Sequence, residues 1–136
     1  MPEAPTPSNL QTPVQPRLRE WVVRVEDLIR QISDWASAES WTVQRRDKSI
    51  TERALGTYVV PELVVHLTGG ELLVSPIALN VAGGRGRVDL EAIPTLSRIK
   101  LIAAPDGWQI WTDSNVPLRV RWDRENFTQL VRDLMA

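Results

Sequence analysis

Turn signals divide the middle of this chain into pieces too short and too closely joined for anything but antiparallel strands. Trp41 and Val43 alternate with Thr42 and Gln44 and open a strand that runs to about Ile50. Thr57 to Leu67 is rich in Val and Tyr, with Pro61 marking an edge or a bend. Thr68-Gly69-Gly70-Glu71 reads as a tight hairpin into Leu72–Ser75. Ile77, Leu79 and Val81 then alternate with Ala78, Asn80 and Ala82 before Gly83-Gly84-Arg85-Gly86. Val88 and Leu90 alternate with Asp89 and Glu91, and Pro94 ends that run. Arg98–Ala104 and Trp108–Thr112 flank Pro105-Asp106-Gly107, the strongest turn in the sequence. A last short strand is expected over Leu118–Trp122. A parallel pair needs a crossover of about a dozen residues or more. The expectation is therefore an antiparallel meander of about six to seven strands.

Helical periodicity flanks this region. Leu18, Trp21, Val22, Val25, Leu28, Ile29, Ile32 and Trp35 recur at helical spacing, with charged residues opposite. They predict a helix from about 17 to 38, with Pro16 at its first position. Phe127, Leu130, Val131 and Leu134 form one face of a closing helix, and Asp123 is a natural N-cap. The fold class is α+β: a long N-terminal helix, the sheet and a C-terminal helix, with both helices on one sheet face. Residues 1–16 hold five of the ten prolines and read as a flexible Pro-rich tail before a single domain at 17–136. Pro2-x-x-Pro5 and Pro13-x-x-Pro16 have the spacing of docking peptides, which any Pro-rich tail generates by chance.

Composition narrows the chemistry. The 136 residues include no cysteine, which removes disulfides, thiolate metal sites and cysteine nucleophiles. His66 is the single histidine, so a multi-His metal site cannot form within one chain. No apolar run approaches the ~20 residues of a bilayer span. With no secretory pattern, a cytoplasmic protein without membrane contact is expected. Sixteen basic residues against 17 acidic ones give a net charge of −1, which argues against a strongly basic nucleic-acid binder.

Strand alternation then separates two faces. Trp108 with Ile110, Val120 with Trp122, Val88 with Leu90, and Ile99 with Leu101 should face the helices. Trp21, Trp35 and Trp41 also fall on apolar positions, so five of the six tryptophans read as core. Trp111 is the outlier, in phase with Gln109 and Asp113. The same phase sends Arg85, Arg87, Arg98, Lys100, Arg119 and Arg121 to the helix-free face, along with Asp89 and Glu91. A cationic face bearing one Trp suits an acidic partner, a phosphate or single-stranded nucleic acid. Cross-strand ion pairing on a solvated face explains the same residues.

Three function classes follow. The first is a non-catalytic interaction module for a protein or peptide, with Trp111, Arg85, Arg87, Arg98, Lys100, Arg119 and Arg121 as binding residues. The long helix stripe adds a second copy of the chain as a candidate partner. The second is an anion or single-stranded nucleic-acid binder, using the Gly83–Arg87 loop as a nest together with the sheet arginines. That loop has neither the P-loop nor the dinucleotide-binding spacing. The third is a small enzyme using His66 with Asp89 and Glu91 as base and carboxylate pair. No serine sits in a nucleophile elbow, so the balance is against catalysis, and no cofactor or metal is expected.

Overall fold

A computed structural model describes residues 14–81 and 85–136. The helix α1 (Val14–Ala38) leads into seven strands: β1 (Thr42–Glu52), β2 (Gly56–Leu67), β3 (Gly70–Ala78), β4 (Arg87–Ile93), β5 (Arg98–Ala104), β6 (Gly107–Thr112) and β7 (Pro117–Leu118). The helix α2 (Arg124–Met135) closes the chain. Sheet order equals chain order and every pair is antiparallel, so the protein is an α+β meander. The Pro-rich tail falls outside the described residues over 1–13, as does the Gly83-Gly84 part of the proposed nest.

Local chemistry accounts for most boundaries. The helix begins at Val14, inside the expected tail of 1–16, so Pro16 is not its first residue but still lies in the first turn, where its missing N–H leaves no helical bond unmade. Asp123 caps α2, its carboxylate accepting from the Asn126 N–H at 2.9 Å. Leu67 pairs with Gly70 and Ala104 with Gly107, so both tight hairpins form where turn residues demand them. Pro61 lies opposite Asp47, beyond the reach of the β2–β3 ladder, where an open side tolerates a missing N–H.

Three expectations change. Leu72–Ser75 and Ile77–Val81 are not two strands: the first runs on into β3, with a register shift between Pro76 and Ala78. Leu79 and Asn80 leave the sheet because Glu52 accepts both of their N–H groups. The last strand is Pro117–Leu118, not Leu118–Trp122, so Val120 is 47% exposed instead of core-facing. Arg119 and Arg121 accordingly lie outside the strand alternation that assigned them to the helix-free face.

One core joins the layers. Leu72, Val74, Val88, Leu90, Ala92, Leu101 and Ile110 share a sheet face by register and pack with Trp21, Val25, Ile29, Ile32, Phe127 and Val131. Of the α1 stripe, Trp21, Val25, Leu28, Ile29 and Ile32 are buried in this core, and Leu18, Val22 and Trp35 pack against it partly buried. Two aromatic groups fix the helices. Trp35, Trp41 and Trp122 surround Phe127 at centroid distances of 5.6, 6.3 and 5.7 Å, tying α2 to the end of α1. At the other end Trp21 packs 6.2 Å from Trp108, and the Arg24 guanidinium lies 5.0 Å from the Trp108 ring.

Trp21 also organises the loops. Its indole N–H donates to the Tyr58 hydroxyl at 3.2 Å, and Tyr58 donates to Glu52. Gly86, at φ +99°, passes so close that a Cβ there would overlap the Trp21 ring. Gly86→Ala should therefore cost ~2–3 kcal/mol, from overpacking and a left-handed backbone together. Gly56→Ala, whose Cβ meets nothing within 4 Å, should cost less; denaturant titration of the two variants checks the order.

Burial, and then the Glu52 carboxylate, raise the Tyr58 phenol well above its ordinary pKa of 10.0. An unfolded chain deprotonates near pH 10 while the folded one stays neutral. This contribution is whole below pH 10 and is lost as pH rises toward the folded value. Tyr58 is the only tyrosine, so tyrosinate absorbance should remain absent from the native protein above pH 10. Tyr58→Phe should flatten the alkaline fall in stability.

Candidate binding surface

The helix-free face carries ordered rungs of polar side chains. Register sets Arg46 opposite Glu62, Ser75 opposite Asp89, Asp89 opposite Lys100, and Lys100 opposite Trp111. One rung away, Arg87, Ile102 and Gln109 are opposed. On the other side Glu91 opposes Arg98. Of the sequence-derived candidates, Arg87, Arg98, Lys100 and Trp111 are therefore gathered on β4–β6, Arg85 lies just before β4 and outside the strand alternation, and Arg119 and Arg121 lie past β7.

On the β1–β3 part of the face Glu62 and Ser75 are buried and bonded to Lys48 and to the half-exposed Arg46. Glu62 is 9% and Ser75 8% exposed. Lys48 donates to Ser75 Oγ at 2.7 Å and to the Pro76 carbonyl at 2.6 Å. Ser75 donates to Glu62 at 3.0 Å, and Glu62 accepts from Arg46 at 2.6 Å. Burial pulls the Lys48 ammonium below its ordinary pKa, opposed by the Glu62 and Asp89 carboxylates. Ser75 is held as donor and acceptor at once, with little open surface, which suits a structural network and not a nucleophile. Sequence reading missed this group. The signal was there: Glu62 and Ser75 are polar residues inside the otherwise apolar β2 and β3.

On β4–β6 the carboxylates are taken by arginines. Asp89, only 5% exposed, accepts from Arg87 through both oxygens at 2.7 and 2.8 Å. Arg98 lies 3.7 Å from Asp89 and donates to Asp113 at 3.0 Å. That hydrogen bond, then the guanidinium charge, holds the Asp113 carboxyl below its ordinary range. Arg87 and Arg98 are thereby engaged within the sheet. Lys100 turns to the Asn115 side-chain oxygen at 2.6 Å, and Arg85 is exposed with no ion pair among the described residues.

Beside these two cations lies an open groove of about 630 Å³ at the β5–β6 hairpin. Its apolar lining is Ile102, Ala103, Ala104, Pro105 and Trp111; its polar lining is Arg85, Lys100, Gln109 and Asn115. Trp111 is half-buried and is the one tryptophan outside the core packing. Its indole makes a long contact, 3.4 Å, to the Gln109 side-chain oxygen. Sequence reading found Trp111, Lys100 and Arg85 but not the apolar part. Ile102 and Ala104 share the phase of Arg98 and Lys100, an apolar interruption of a charged face that alternation alone exposes.

His66, Asp89 and Glu91 share this face without converging. His66 lies across from Glu71, their side chains 3.1 Å apart, whereas Asp89 and Glu91 are on β4, opposite Ser75 and Leu73. Among the described residues no cluster of three His, Asp or Glu side chains could hold a metal ion. Among the described residues no helix is long and apolar enough to cross a membrane. Comparison with family models, with curated proteins and with solved structures gives no match.

The Asp89 carboxylate should be structural. Asp89→Ala strands Arg87 and should lower stability by ~2 kcal/mol. Asp113→Ala, on the exposed flank, should leave thermal unfolding nearly unchanged.

Proposed function

We propose that this protein is a non-catalytic interaction module that docks a protein or peptide on its helix-free face, centred on Trp111. One observation carries the reading: the β5–β6 groove joins an apolar lining to a half-buried indole and two cations that no acidic side chain engages among the described residues. Its volume falls within the ~300–1,000 Å³ of small binding sites. Tryptophan and arginine are the residue types that most often dominate interface energies. A catalytic role has less support, since the buried polar side chains on this face satisfy one another. Single-stranded nucleic acid has less support too: Arg87 and Arg98 are committed to carboxylates, and the net charge of −1 adds no long-range attraction.

Trp111→Ala removes the indole without opening the core. The unmodified protein should retain a discrete partner in affinity capture, and the variant should lose it at an unchanged melting temperature. Identical capture by both proteins would remove this surface from consideration.

A further inference from the structure

The groove's surroundings specify the sign of what it accepts. Around it Arg85, Arg87, Arg98 and Lys100 stand against Asp89, Glu91 and Asp113, four cations to three carboxylates. Asp89 has both oxygens on Arg87, and Asp113 is bonded to Arg98. Those pairings occupy Asp89 and Asp113, Glu91 lies opposite Arg98 on the far side from the groove, and among the described residues Lys100 and Arg85 have no ion pair. Both line the groove, and no acidic residue does. The only hydrogen-bond partner of the Lys100 ammonium among the described residues is the neutral Asn115 amide, which leaves donor capacity for a ligand.

The apolar half sets a second requirement. Ile102, Ala104 and Pro105 offer a surface for an aliphatic or aromatic side chain, with the Trp111 ring beside it. A polynucleotide presents evenly spaced phosphates and would leave the aliphatic lining without a counterpart. A peptide with an apolar residue beside a carboxylate satisfies both halves.

Resting on the docking reading above, we propose that the β5–β6 groove selects an acidic peptide. Its apolar side chain packs against Ile102, Pro105 and Trp111, and a neighbouring carboxylate bonds to Lys100 and Arg85. Arg87 and Arg98 serve as positioning residues, since they neutralise Asp89 and Asp113 and so prevent those carboxylates from repelling the ligand.

The test pans the full chain against a random peptide library on phage. Enriched peptides are then titrated by fluorescence anisotropy. The expected winners carry Asp or Glu next to Leu, Ile, Phe or Trp, and bind more weakly as salt rises. Lys100→Glu should weaken them about tenfold. A Lys100→Glu/Arg85→Glu double variant should enrich basic peptides instead. Circular dichroism confirms that these surface variants stay folded, and Lys100→Met provides a charge-neutral comparison if Lys100→Glu does not.

Peptides that enrich without an acidic bias, yet are lost with Trp111→Ala, would overturn the acidic selectivity and leave the docking reading standing. No enrichment, or enrichment indifferent to Trp111→Ala, would overturn both. Tighter binding of oligothymidylate than of any enriched peptide would reassign the face to nucleic acid and overturn both as well.

Discussion

The arrangement of this protein depends on how one indole is held. Trp21 projects from α1 into a space bounded by Gly86, Trp108 and Tyr58. It is 2% exposed, and its N–H has a partner, so burial leaves no polar atom unpaired. Tyr58 passes the connection to Glu52, which accepts the Leu79 and Asn80 N–H groups and fixes where the chain leaves β3. Gly86 returns the chain to the sheet, its carbonyl accepting from Ala103 at 3.0 Å. Arg85, next to Gly86, is thereby brought to the β5–β6 groove. The core and the candidate site share this support.

The helix-free face shows how near-neutral composition conceals local charge. Over the whole chain 16 basic residues meet 17 acidic ones. On the sheet, bidentate and cross-strand pairing assigns particular arginines to particular carboxylates. What remains unpaired is set by geometry, and on β5–β6 it is positive. The β1–β3 part of the same face reaches a different state, a chain of hydrogen bonds from Lys48 through Ser75 to the Glu62 carboxylate. A self-satisfied polar network and an open cationic groove thus occupy adjacent regions of one sheet surface.

How legible the fold was depended on the range of the interactions. The meander, both tight hairpins, the Asp123 cap and the two helices follow from turn chemistry and periodicity within a few residues. The errors came where a distant residue overrides that pattern. Ile77–Val81 alternates like a strand, but Glu52, 27 residues from Leu79, captures the backbone there. Val120 and Trp122 alternate like β7, yet Trp122 is drawn to Phe127 and donates to Gln31, 91 residues away. The binding residues divide in the same way. Trp111 and Lys100 lie on a regular strand and were found, whereas Arg119 and Arg121 lie where the strand has already ended.

The sequence alone determined the order of helices and hairpins and the phase of β4, β5 and β6. Short connections exclude crossovers, and side chains alternate with period two. It also determined that five tryptophans have apolar positions and that Trp111 does not. Only the tertiary structure decided which charges remain unengaged. Pairing depends on which side chains register opposes and on how deeply each is buried, and neither is a property of one strand. Register places Asp89 within the grip of Arg87 and leaves Lys100 beside Trp111, Ile102 and Pro105. A list of arginines on one face thereby becomes a groove with two free cations and an apolar wall.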